Sequence, residues 1–280
     1  MDELRTALEL ATEEELQDLT AILFGRKFNP IDYVHTPEPI EVQSKDHKAW
    51  LDALEARFRF LAADGMTVLR GRTNLVTYRE ALIQVCKYLK IRYYDQLATV
   101  DLEAEVFLHL LGHVWKKLPE KEKQKLTVQV QQQLAKSEPN QPLPLSLQRD
   151  PLGLLFKGGS AIALTSIIQP LLLKQIARQF AMHLATYQLA QQAAVEGGVI
   201  ATTQFQNYVA LQMAQRGMAV SAARYTAVRS VFAMLGPVMW GWFFADLGWR
   251  AIATNYGRII PTIFALAQIR LTRTECWEPA

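Results

Sequence analysis

A chain of 280 residues, half of them apolar and a fifth charged, can fill one large core or two modest ones, and this excludes wholesale disorder. Its 30 Lys and Arg against 27 Asp and Glu leave a net charge of only +3, so any attraction to an anionic partner must come from uneven placement rather than from the total. Two cysteines, Cys86 and Cys276, lie far apart and in no metal-type spacing, which excludes a disulfide framework and points to a reducing compartment.

The N-terminus, MDELRTALELATEEEL, is acidic and amphipathic, with neither a basic leader nor an apolar one, and reads as a cytoplasmic start. Thr12-Glu13-Glu14-Glu15 is a capping box, in which the Thr hydroxyl accepts from the third helical N–H and Glu15 reaches back. The helix it opens should bury Leu16, Leu19 and Leu23 and end near Gly25. Pro30, Pro37 and Pro39 make the next stretch an extended loop. Ser44 is expected to cap a helix running to about Ala63, with Trp50, Leu51, Leu54, Phe58 and Leu61 on one face and Asp64-Gly65 as its stop.

Arg70-Gly71-Arg72 reads as a turn between basic residues. Thr77-Tyr78-Arg79-Glu80 is a second capping box, opening a helix through Lys90 with Ala81, Leu82, Val85 and Leu89 inward. Further helices are expected over 100–117 and 120–136, with Pro119 suited to the start of the latter. Residues 137–150, SEPNQPLPLSLQRD, are proline-stiffened and mark a boundary between a helical domain, 1–136, and a second region, 151–274.

The second region differs in charge. From Pro151 to Thr274 the acids are Glu196 and Asp246 alone, against ten Lys and Arg, among them Arg250, Arg258, Arg270 and Arg273. Glycines break it into helical stretches, and no stretch reads as a strand, so the fold class is all-α, with an apolar helical bundle or hairpin following the N-terminal domain. Acid depletion within apolar sequence favours lipid over nucleic acid as the anionic partner. The run between Arg229 and Arg250 has about the ~20 residues needed to cross a bilayer core, and Trp240, Trp242 and Trp249 resemble interface anchors. Pro237 and Asp246 oppose a full crossing. Residues 259–269 make a shorter run, of the length of a buried core helix or an interfacial segment. Three states therefore compete: a soluble bundle, a peripheral or partly inserted association at the cytoplasmic face, and a two-pass hairpin. Trp240, Trp242, Trp249, Arg250 and Arg258 are the candidate membrane-facing residues.

Few side chains stand out for chemistry. Glu105, His109 and His113 fall at i, i+4 and i+8, a helix face that could hold a divalent metal; two histidines at a core boundary are the ordinary account of the same spacing. Arg70, Arg72 and Arg79 form a small basic cluster, and Trp115-Lys116-Lys117 closes a helix with a core Trp and a basic last turn. These six are the candidate partner-binding residues. No nucleophile elbow, phosphate-binding loop, zinc-protease motif or dinucleotide fingerprint is present, so no enzymatic role, cofactor or metal is assigned.

The segments ELRTALELATEEELQDLTAIL, FLAADGMTVLRGRTNLVTYREALIQVCKYLKI, DLEAEVFLHLLGHVWKKLPEKEK and LGPVMWGWFFADLGWRAIATNYGRIIPTIFALAQIRL resemble the YaaW-like family of uncharacterised bacterial proteins. The marks are Gly71, Tyr78-Arg79, Trp115-Lys116-Lys117, Gly236-Pro237 and Arg258 with Ile260-Pro261. That family is distantly associated with the ubiquinol–cytochrome c chaperone, a helical assembly factor for a respiratory membrane complex. The resemblance implies a binding role, with a protein client or membrane complex as partner and a homo-oligomer open. The sequence therefore leads to a non-enzymatic, membrane-associated, chaperone-like helical protein. The rivals are a membrane-perturbing stress effector and a metal-dependent enzyme built on the Glu105/His109/His113 face.

Overall fold

The computed structural model describes residues 2–25, 36–136, 151–152, 173–179 and 255–273. All regular structure among them is helical: α1 (Glu3–Glu9), α2 (Glu13–Phe24), α3 (Pro39–Gln43), α4 (His47–Ala62), α5 (Gly65–Leu69), a 3₁₀ turn (Thr73–Leu75), α6 (Tyr78–Leu89), α7 (Thr99–Lys117), α8 (Glu120–Lys136) and α9 (Tyr256–Arg273). Residues 173–179 are a further helical segment. The fold class is all-α, as the periodicities require.

Helix starts follow local chemistry. Both expected capping boxes are present, Thr12 with Glu15 and Thr77 with Glu80, each satisfying two backbone donors reciprocally. Asp2 caps α1 by accepting from the Leu4 N–H. Three local expectations are corrected. Asp46, not Ser44, caps α4, accepting from the Ala49 N–H at 2.9 Å, while Ser44 closes α3. The prolines before it do not keep the chain extended throughout: Pro39 opens α3 at a position where its missing N–H is not needed. Asp64-Gly65 is not a stop but a start, because Asp64 accepts from the Thr67 N–H at 2.7 Å and opens α5.

Helix ends use the left-handed region twice. Gly71, at φ +65°, closes α5: its own N–H donates to Val68 O and the Arg72 N–H to Thr67 O, the paired bonds of a Schellman turn. After α6 the same pair of bonds, Lys90 N–H to Lys87 O and Ile91 N–H to Cys86 O, is made around Lys90 at φ 57°, where a side chain is tolerated at some cost.

The core is organised around α9. Every residue of it from Gly257 to Arg270 is buried, which an amphipathic surface helix cannot achieve; a helix apolar nearly all round belongs in the centre. It packs against α7, α2, α1, α4 and α6. Phe264 stacks on Phe107 with ring centroids 4.9 Å apart, and Tyr256 on Tyr88 at 4.3 Å. Ile259, Ile260, Ile263, Leu266 and Ile269 fill the space around them. Burying those aliphatic chains and Phe264 is worth on the order of 10 kcal/mol before ordering entropy is set against it. Pro261 lies inside α9 and removes one rung of its ladder.

Tyr256–Arg273, from the 151–274 region, packs in a core shared with helices that precede the proline-rich stretch. The short apolar run over 259–269 is a buried core helix rather than an interfacial segment. No described helix is long and apolar enough to cross a membrane.

Candidate functional site

The most concentrated polar chemistry is inside the bundle, where α9 meets α6, α7, α1 and α2. Arg270 donates from Nε to Glu103 Oε2 at 2.8 Å, and from its terminal nitrogen to the Glu3 carbonyl at 2.7 Å. The Tyr78 hydroxyl donates to the other carboxylate oxygen of Glu103 at 2.6 Å. Both charged side chains are more than nine-tenths buried. Burial pushes the Glu103 carboxyl upward, and Arg270 and the Tyr78 hydroxyl pull it back. The Tyr78 phenol is held well above its ordinary range, chiefly by burial and then by the Glu103 charge, so it keeps the proton it donates to Glu103.

One turn further along α9, Arg273 reaches Glu15 Oε2 at 2.8 Å and the Leu10 carbonyl. Glu15 thus serves twice, since the same oxygen accepts from the Thr12 N–H at 2.8 Å as part of the capping box. Burial raises the Glu15 carboxyl to about 7, opposed by the Thr12 bonds and Arg273. At the other end of α9, Arg258 donates to the Gly25 carbonyl at 2.8 Å, satisfying a group left over where α2 ends. These arginines form a clasp along one helix. Each Glu103 oxygen accepts from a side chain buried with it, so the cluster fixes the helices to one another.

Arg258 was expected to face a membrane; it is 5% exposed and committed to the end of α2. The other candidates for that surface, Trp240, Trp242, Trp249 and Arg250, lie outside the described residues. Of the expected partner-binding residues, Arg70 and Arg72 are exposed beside the Gly71 turn. Arg79 does not join them: its guanidinium donates to the Asp95 and Leu97 carbonyls and pins the connection from α6 to α7. Trp115 is half-buried against the core and Lys116 exposed, while the side chain of Lys117 lies outside what is described.

The Glu105, His109 and His113 row does not assemble into a metal centre: no group of three metal-capable side chains comes together among the described residues. Glu105 is buried, His113 Nδ1 lies 3.0 Å from the His109 carbonyl, and the two rings are 4.8 Å apart. Burial, helped by His113 and Lys116, lowers His109 to about 4. An unfolded His109 takes up its proton near 6.5 and the folded one only near 4, so stability falls as pH drops through that window. Wild-type protein should therefore lose urea resistance relative to a His109→Gln variant as pH is lowered from above 6.5 to about 4. Parallel loss in both proteins would show that His109 does not carry the effect.

An open groove of about 380 Å³ lies between α4 and the 3₁₀ turn, lined by Asp52, Glu55, Ala56, Arg59, Thr73 and Asn74. Its charges are mutually engaged. Arg59 pairs with Glu55 at 2.7 Å and with Asp2, and Arg5 pairs with Asp52, Glu55 and Glu9, a network that ties α1 to α4. Arg59 also donates to the Asn74 and Val76 carbonyls, fixing the 3₁₀ turn to the body.

The clasp was not foreseen from the sequence. Its one local trace is the pair of acids, Glu103 and Glu105, inside the otherwise apolar run 102–108, where burial demands partners that lie far away in the chain. No protein-family model, curated protein or solved structure matches the chain.

Proposed function

We propose that this is a non-enzymatic helical binding protein that works at the cytoplasmic face of a membrane, in the manner of an assembly factor that holds a protein client or membrane complex. The observation that carries the reading is compositional. Between Pro151 and Thr274 two acids stand among ten bases and long apolar runs, with Trp240, Trp242 and Trp249 crowded into one of them. Three of those bases, Arg258, Arg270 and Arg273, are spent inside the fold on Gly25, Glu103 and Glu15. The asymmetry left for a lipid surface therefore rests on Lys157, Arg178, Arg216, Arg224, Arg229 and Arg250. The resemblance to the YaaW-like family supports the binding role, because the chaperone with which that family is distantly associated serves a membrane complex.

The test is fractionation of cells with successive salt and carbonate washes of the membranes. Membrane-bound protein released by salt or by carbonate is the expected result, the two washes separating headgroup attraction from partial insertion. Protein found wholly in the soluble fraction removes the membrane from the proposal.

A further inference from the structure

We propose that residues 66–75 are an interfacial anchor that seats the bundle on an anionic lipid bilayer. This goes beyond the membrane residence argued above, which rests on a different stretch of the chain.

Helix α5 buries none of its residues, so its apolar side chains serve no core. Met66 and Leu69 stand at i and i+3 and are 57% and 82% exposed; Leu75, in the 3₁₀ turn, is 64% exposed. Single exposed leucines are ordinary on a protein surface; three long apolar chains left exposed within ten residues are not. Arg70 follows Met66 by four positions and so shares its face, Arg72 comes two residues later, and both are exposed. The nearest acid in the chain, Asp64, accepts from the Thr67 N–H while also feeling the Arg70 charge, and Asp52 and Glu55 beside Thr73 and Asn74 are paired with Arg5 and Arg59.

The backbone beneath the patch is fixed. The Schellman bonds around Gly71 set the bend between the two arginines, and Arg59 ties the 3₁₀ turn to α4 through the Asn74 and Val76 carbonyls. A pre-set turn loses little freedom on binding. Apolar tips that enter the acyl boundary, with guanidinium groups beside them at the level of the phosphates, are the complement of an anionic bilayer surface. An acidic protein groove is the competing occupant, and the test separates the two.

Full-length protein is sedimented with vesicles of phosphatidylcholine alone and of phosphatidylcholine with phosphatidylglycerol. Two double variants accompany it, Arg70→Gln with Arg72→Gln, and Leu69→Ser with Leu75→Ser. All four side chains are exposed, so unchanged thermal melting is expected and confirms that each variant folds. Wild type should favour the anionic vesicles, the arginine variant should bind them about 30-fold more weakly, and the leucine variant about tenfold. Wild type and variants sedimenting alike overturns the anchor while leaving membrane residence through 151–274 in place. Wild type that binds neither vesicle overturns both. A photo-crosslinking residue at position 69 that captures a discrete protein in cells, with vesicle binding unchanged in the variants, assigns the patch to a protein partner instead.

Discussion

Replacing Arg270 with leucine should destabilise the protein by about 3–5 kcal/mol, read as a lowered urea midpoint with little change in the slope of the transition. The change keeps much of the apolar stem but takes the cation from a carboxylate that has no access to water. Glu103 would keep only the Tyr78 hydroxyl, and the Glu3 carbonyl would lose the bond that ties α1 to α9. The remaining carboxylate would respond by binding a proton, so the variant's deficit should shrink as pH is lowered. A paired Arg270→Leu, Glu103→Leu variant should recover much of the loss, since removing both charges from an apolar site is far cheaper than removing one. A single variant as stable as wild type would mean that the ion pair sets no part of the core.

Ending the chain before Tyr256 should have a still larger effect, because it removes the helix that five others pack against. The first 136 residues would then expose the walls of a slot that Phe264 and the isoleucines of α9 fill, forfeiting burial on the order of 10 kcal/mol, as much as a whole domain's net stability. Such a fragment should retain helical signal from its well-capped segments but melt without a cooperative transition. A sharp transition like that of the intact protein would mean that the helices before the proline-rich stretch fold without α9.

Much of the helical framework was legible because its signals are local. Thr12 with Glu15 and Thr77 with Glu80 act over three residues, and Trp50, Leu51, Leu54, Phe58 and Leu61 recur at the helical period on a single element. All five are buried. Errors arose where two local signals competed, as when Asp46 displaced Ser44 as a cap, and where Asp64 before Gly65 reads equally as the end of one helix or the start of the next. The placement of α9 was not legible. An eleven-residue run, apolar or small but for Gln268, fits a membrane interface or a protein core equally well, and only its neighbours decide. Charge misleads here: Arg258, Arg270 and Arg273 read as seeking lipid phosphate, whereas their partners are three backbone carbonyls and two buried carboxylates from earlier in the chain.

The Arg270 bond to Glu3 joins residues 267 positions apart. Contacts so distant in the chain are slow to form, because a very long loop must close before any of them is made. At a synthesis rate of about 5–20 residues per second, α1 waits on the order of 10–50 s for the helix it must pack against. Through that interval the early helices carry an unfilled oily slot. Premature self-association during translation is therefore a hazard written into the order of the elements, and one that a slower ribosome would worsen.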